Sequence, residues 1–178
     1  MKTTINRLNS LCIILCSFSM SSISSAEAQK TFDPGLPPPV VASDYYASAQ
    51  KLVEQINIAP IDEIDTEQFY LKLIGNSNNY YNAVSKAYNN APDMRIVIHG
   101  DGINMLVAAK SGSYPKLTAK LDELMQKEGV KFLVCYNTLT SKKIRIDQLY
   151  KINADNIIPA GVAEIARLQG LGYAYLKL

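Results

Sequence analysis

Gly129-Val130-Lys131-Phe132-Leu133-Val134-Cys135 is the stretch on which the fold turns. After a glycine, residues 130–135 form a compact apolar run of strand length. Consecutive apolar residues, as opposed to strict alternation, mark a strand buried on both faces, the kind found in parallel sheets covered by helices. Upstream, Arg95-Ile96-Val97-Ile98-His99 has the same character and closes at Gly100. Between the two runs, Leu117, Leu121, Leu124 and Met125 fall on one helical face, and Gly129 ends that helix. This is the punctuation of a strand-helix-strand unit.

Working outward, residues 69–74 are predicted as a strand and residues 80–88 as a helix. Further upstream, Asp44 is placed to cap a helix whose apolar side chains Tyr45, Ala49, Leu52, Val53 and Ile56 recur at helical spacing. Ala59-Pro60 ends that helix, and the acidic residues 62–67 read as a solvated connector. Downstream, a short helical turn at 146–150, a brief strand at 156–158, a helix at 160–168 and a final strand at 173–178 complete the pattern, with Gly170 and Gly172 marking the last turn. The expectation is a single α/β domain of three layers, with a mostly parallel central sheet of about five strands, because parallel connections need crossovers. Ligands in such sheets sit beyond the carboxyl ends of the strands. His99-Gly100-Asp101-Gly102 and Cys135 are therefore expected on one rim.

The first 28 of the 178 residues read as an export signal: Lys2 and Arg7 precede a short apolar core at 11–20, and Ala26-Glu27-Ala28 offers a cleavage site. The core is too short to span a bilayer, and neither Cys12 nor Cys16 sits in a lipoprotein signal, so a periplasmic or secreted protein without stable membrane insertion is expected. Residues 29–43 form a proline-rich tether, with Pro34, Pro37, Pro38 and Pro39 holding the chain extended. Residues 44–67 are then the helix and connector, and residues 68–178 the α/β domain. Charge is close to balance, +2 over the whole chain, which predicts no general affinity for nucleic acid or anionic membranes.

Of three cysteines, Cys12 and Cys16 leave with the signal, so the mature chain keeps Cys135 and cannot form an internal disulfide. One cysteine and one histidine, His99, fall short of a structural zinc or iron–sulfur ligand set, and no metal or cofactor is expected. Neither Gly100-Asp101-Gly102 nor Ser111-Gly112-Ser113 reproduces a phosphate-binding glycine motif, and both read as turns. The pairs Tyr45-Tyr46 and Tyr80-Tyr81 read as core edge or subunit contact.

The run Ile96-Val97-Ile98-His99-Gly100, the strand ending in Cys135, Leu139 beyond it and the ending Ala166-Arg167-Leu168-Gln169-Gly170-Leu171-Gly172-Tyr173-Ala174-Tyr175 together resemble the DsrE/DsrF-like family, over roughly residues 68–178. The resemblance implies a flavodoxin-like or related α/β fold, a homo-oligomer (trimer or hexamer), and a cysteine that carries sulfur as a persulfide, for which Cys135 is the matching position. An export signal and an added N-terminal helix set this chain apart from the cytoplasmic sulfur-relay members.

A sulfur carrier needs a thiolate, and Cys135 is expected to be accessible and to draw support from N–H groups following its strand and from Lys142, Lys143 and Arg145. His99 is a candidate acid or base, with Asp101 as its candidate orienting partner. Two functional readings stand. In one, Cys135 forms a persulfide and exchanges sulfur with a donor or acceptor protein or a small thiol. In the other, the same fold serves as a non-catalytic oligomeric binding or assembly protein.

Overall fold

The computed structural model describes residues 46–61 and 65–178. The export signal, the tether and Tyr45 lie outside the described residues. A short 3-10 turn, Ala47–Ala49, leads into strand β1, Lys51–Ile56. There follow helix α1 (Thr66–Tyr88), β2 (Asp93–Ile98), α2 (Ile103–Lys110), α3 (Pro115–Met125), β3 (Val130–Cys135), α4 (Tyr136–Lys142), β4 (Ile157–Ile158), α5 (Gly161–Gly170) and β5 (Ala174–Lys177). All five strands are parallel, in the order β4-β3-β2-β1-β5. The α/β fold expected from the two apolar runs is the one observed.

Two assignments at the amino-terminal end are corrected. The part of the predicted helix from residue 51 to 56 is strand β1, paired residue for residue with β2 from Lys51↔Asp93 to Ile56↔Ile98. The strand is buried on both faces: Leu52 and Ile56 enter one core, and Val53 enters the other. A strand filled on both sides places apolar residues at i, i+1 and i+4, which also satisfies a helical template. The predicted strand at 69–74 and helix at 80–88 are one helix, α1. Asp65 caps it by accepting from the Gln68 N–H at 3.3 Å, and Tyr70, Leu73, Ile74, Ser77 and Val84 face inward at helical spacing. The intervening Asn-Ser-Asn-Asn run has loop chemistry, yet Ser77 and Asn78 stay within the helix by donating to the carbonyls of Leu73 and Ile74. Asn89 then ends α1 in the left-handed region at φ 50°.

The strands sort their side chains between two cores. Met94, Ile96, Ile98, Phe132 and Val134 pack against α1, α2 and α3, where Tyr70, Leu106, Leu117 and Leu121 close the larger core. Val53, Val97 and Leu133 pack against Ile165 and Leu168 of α5 in the smaller one. Because successive strand residues alternate faces, Gln55, His99 and Cys135 also fall on the α5 side, at the carboxyl rim of β1, β2 and β3.

Candidate functional site

Cys135 is the last residue of β3 and the residue from which α4 starts. Two loops meet over it. The one after β2 turns sharply through the 3-10 segment Gly100–Gly102, and Gly102 is required there because a Cβ would stand 2.2 Å from the Ile56 carbonyl oxygen. The other, after β4, starts α5 at Gly161, which packs between His99 and Cys135. A Cβ at 161 would lie 3.0 Å from the Cβ of His99, 3.2 Å from its Cγ and 3.3 Å from the Cβ of Cys135. The cysteine and the histidine thus flank one glycine, and the parallel sheet supplies all three residues from neighbouring strand ends.

The thiol is buried, with Cys135 only 5% exposed, in contrast to the accessible residue expected from the sequence. Burial alone pushes its pKa up. Against this act the Thr138 hydroxyl and the backbone N–H groups of Gly161, Thr138 and Asn137, and the net result is a thiol pKa below the ordinary value. The Cys135 side chain makes no cap hydrogen bond at the start of α4, and the Asn137 N–H also donates to the Pro159 carbonyl at 3.4 Å. Thr138 also accepts a 3.0 Å hydrogen bond from the Gly100 N–H, which ties the β2 loop to the cysteine's own helix.

The basic residues expected to support the thiolate have other partners. Lys142 pairs with Asp101 at 2.6 Å, so its charge is matched at the site, and Asp101 serves as its partner in place of orienting His99. Arg145 is fully committed to Asp147, at 2.9 Å from the guanidinium Nη2. Lys143 is exposed at the end of α4, in the left-handed region at φ 55°. Hydrogen-bond donors, not these cations, are what lower the cysteine pKa.

His99 takes its ring partner from β1: the Gln55 Nε2 lies 2.6 Å from its Nε2. Gln55 in turn accepts from the Tyr175 hydroxyl on β5. Burial and then the nearby Lys177 ammonium hold the imidazole pKa below its usual value, so the ring is neutral at pH 7. Gln55, Thr138 and Gly161 were not singled out from the sequence. Thr138 could have been found as the third residue of a helix starting at a strand-end cysteine, and Gln55 as a polar residue near the end of an otherwise apolar strand.

The other candidates resolve as structure. Gly100-Asp101-Gly102 is the 3-10 segment, and Ser111-Gly112-Ser113 is a turn in which Gly112 has φ 78°. The Tyr80 hydroxyl donates to the Ala49 carbonyl, and Tyr81 receives the Lys127 ammonium over its ring at 4.6 Å. Among the described residues, no three His, Cys, Asp or Glu side chains gather as a metal set, and no helix is long and apolar enough to cross a membrane.

Comparison with curated protein sequences gives no match. The model of the DsrE/DsrF-like family matches residues 50–178, which takes in β1, the strand that the sequence had suggested was an added helix. With most of its length matched and the five-stranded parallel sheet in place, the chain belongs to the DsrE/DsrF-like family.

Proposed function

We propose that this protein is a sulfur carrier that holds a persulfide on Cys135. One observation carries the reading: Cys135 ends β3 at the carboxyl rim of the sheet, packed with His99 against Gly161 at the start of α5, where the Thr138 hydroxyl and neighbouring N–H donors bring its pKa below the ordinary value despite burial. A cysteine serving only as a small core hydrophobe has no need of such donors, whereas a nucleophilic thiolate does. In the reaction, the Cys135 thiolate attacks the outer sulfur of a donor persulfide, R–S–SH. The donor S–S bond breaks, R–S⁻ leaves, and Cys135–S–SH forms without net oxidation. An acceptor thiolate then attacks the outer sulfur, takes it as its own persulfide, and returns Cys135 as the thiolate. The same donors that hold the thiolate serve the leaving thiolate in this second step. With no second cysteine in the chain after the signal, the adduct goes to another molecule.

The reading includes export, on the strength of residues 1–28, and a homo-oligomer, trimer or hexamer, on the strength of the family. Intact mass of protein isolated from its native compartment, with and without reductant, tests carrier and export together. The expected result is a chain beginning near Gln29 with one or more reductant-labile sulfur atoms on Cys135. A thiol that resists alkylation until the protein is unfolded, and never carries sulfur, refutes the carrier role.

A second reading, an assembly protein with no chemistry, is favoured by the 5% exposure of Cys135 and by an apolar groove of about 610 Å³ beside it, lined by Tyr136, Leu139, Ile144, Ile146 and Ile157. In that reading the groove seats a second copy of the chain. Light scattering on the wild type and on Tyr136→Asp distinguishes them: a mass that falls in the variant while sulfur loading was never present supports assembly alone.

A further inference from the structure

We infer that Gln55 is a positioning residue that fixes His99 as the neutral Nδ1–H tautomer, so that the histidine acts at this site as a hydrogen-bond donor and not as the base that deprotonates Cys135. The functional meaning rests on the carrier reading above; the tautomer itself does not.

The inference starts from strand order. β2 lies between β3 and β1, so His99 has Cys135 on one side and Gln55 on the other. The ring reaches toward β1, where its Nε2 meets the Gln55 side-chain nitrogen at 2.6 Å. An amide nitrogen can only donate. The amide oxygen, Oε1, points the other way and accepts from the Tyr175 hydroxyl on the edge strand β5. Tyr175 pairs in register with Val53, and Lys177 with Gln55, so Tyr175 and Lys177 stand on the same face of the sheet as the histidine. In this orientation donation runs from Tyr175 to Gln55 to His99, with His99 Nε2 as the acceptor. In a neutral ring the remaining proton then sits on Nδ1.

Two consequences follow for the chemistry. The lone pair of Nε2 is occupied by Gln55, and Nδ1 already bears a proton, so neither nitrogen can accept the thiol proton while the relay holds. The titratable groups on the ring's side of the sheet are Tyr175 and Lys177 from β5 and Cys135 from β3, while Gly161 is the α5 residue packed against it. Burial and the Lys177 ammonium both oppose imidazolium, which keeps the donor relay intact at neutral pH. Support for the thiolate then comes from Thr138 and the neighbouring N–H donors.

His99 is the only histidine in the chain, which makes its ring nitrogens directly readable by long-range proton–nitrogen correlation on uniformly labelled protein. The expected wild-type spectrum has a protonated Nδ1 and an unprotonated Nε2. Gln55→Leu removes the donor and is expected to abolish that preference. Gln55→Glu presents a carboxylate that accepts from Nε2–H, and is expected to reverse the tautomer and raise the imidazole pKa. Tyr175→Phe, at a half-exposed position, frees the amide and is expected to weaken the preference without disturbing the core. A wild-type ring protonated on Nε2, or a spectrum unchanged by both Gln55 substitutions, overturns the inference. Intact mass of protein isolated from its native compartment separates the two readings: no sulfur on Cys135 with the Nδ1–H tautomer present refutes the carrier role and upholds the relay, whereas sulfur present with Nε2–H refutes the relay alone.

Discussion

Glu54→Gln is expected to stabilise this protein at alkaline pH and to leave it nearly unchanged in mild acid. Glu54 sits in the middle of β1 with no exposed surface, on the side covered by α1. One carboxylate oxygen accepts from the Ser77 hydroxyl at 2.5 Å, while the other, like the Asn78 side-chain oxygen, has no hydrogen-bond partner in its buried position. Burial pushes its pKa up from the ordinary 4.5 to about 7, with the Ser77 bond pulling the other way. The folded state therefore holds this proton more tightly than the unfolded chain does. Its contribution to stability is fully present below pH 4.5, falls as pH rises toward 7, and is flat above that. At 1.36 kcal/mol for each tenfold change in proton affinity, the loss is about 3 kcal/mol. Glutamine has the shape of the protonated acid, still accepts from Ser77, and carries no charge to desolvate. Denaturant melts of wild type and variant at pH 5 and pH 8 provide the test. His99 and Cys135, both with lowered pKa, shift stability in the opposite sense to Glu54, but they are common to both proteins and cancel in the difference. The variant is expected to gain up to about 3 kcal/mol over wild type on going from pH 5 to pH 8. A difference that does not change with pH would show that the carboxyl is not held in its protonated form and would refute the reasoning.

Thr138→Val removes the hydroxyl from Cys135 and strands the Gly100 N–H, so the thiol pKa is expected to rise. The inflection of the alkylation-rate profile then moves to higher pH, with slower labelling at neutral pH, and Thr138→Ser restores it. Gly102→Ala forces a Cβ to within 2.2 Å of the Ile56 carbonyl oxygen, where backbone has to move, and is expected to cost about 3 kcal/mol or more in denaturant melts. Gly112→Ala, with φ 78° but open space around it, is expected to cost only about 1 kcal/mol by the same measurement. Leu121→Ala, fully buried between α3 and the sheet, is expected to lose about 2–5 kcal/mol of stability while leaving the pH inflection of Cys135 alkylation unchanged.

Residues 95–99 and 130–135 announced a parallel sheet from sequence because a strand sealed on both faces has to be apolar at consecutive positions, and that requirement is local. The same reasoning placed Cys135 and His99 on one rim, since every parallel strand ends at the same edge. It also supported the family assignment, whose marks are short strings of residues. What pairs with what was left to the tertiary structure. Leu52, Val53 and Ile56 satisfy a helix as well as a doubly buried strand, and only the slot between β2 and β5 decides the matter. Residues 69–74 favour a strand by composition, and only packing of α1 on the larger core makes them helical. At the site, Lys142, Lys143 and Arg145 are near Cys135 in sequence, but ion pairs commit Lys142 to Asp101 and Arg145 to Asp147. The groups that do act on Cys135 and His99 include Gly161, Gln55 and Tyr175, brought in by separate strands and by the start of α5. Hydrogen bonds act over about 3 Å, and a chain folded through parallel crossovers brings such partners within that range from sequence separations that no local pattern records.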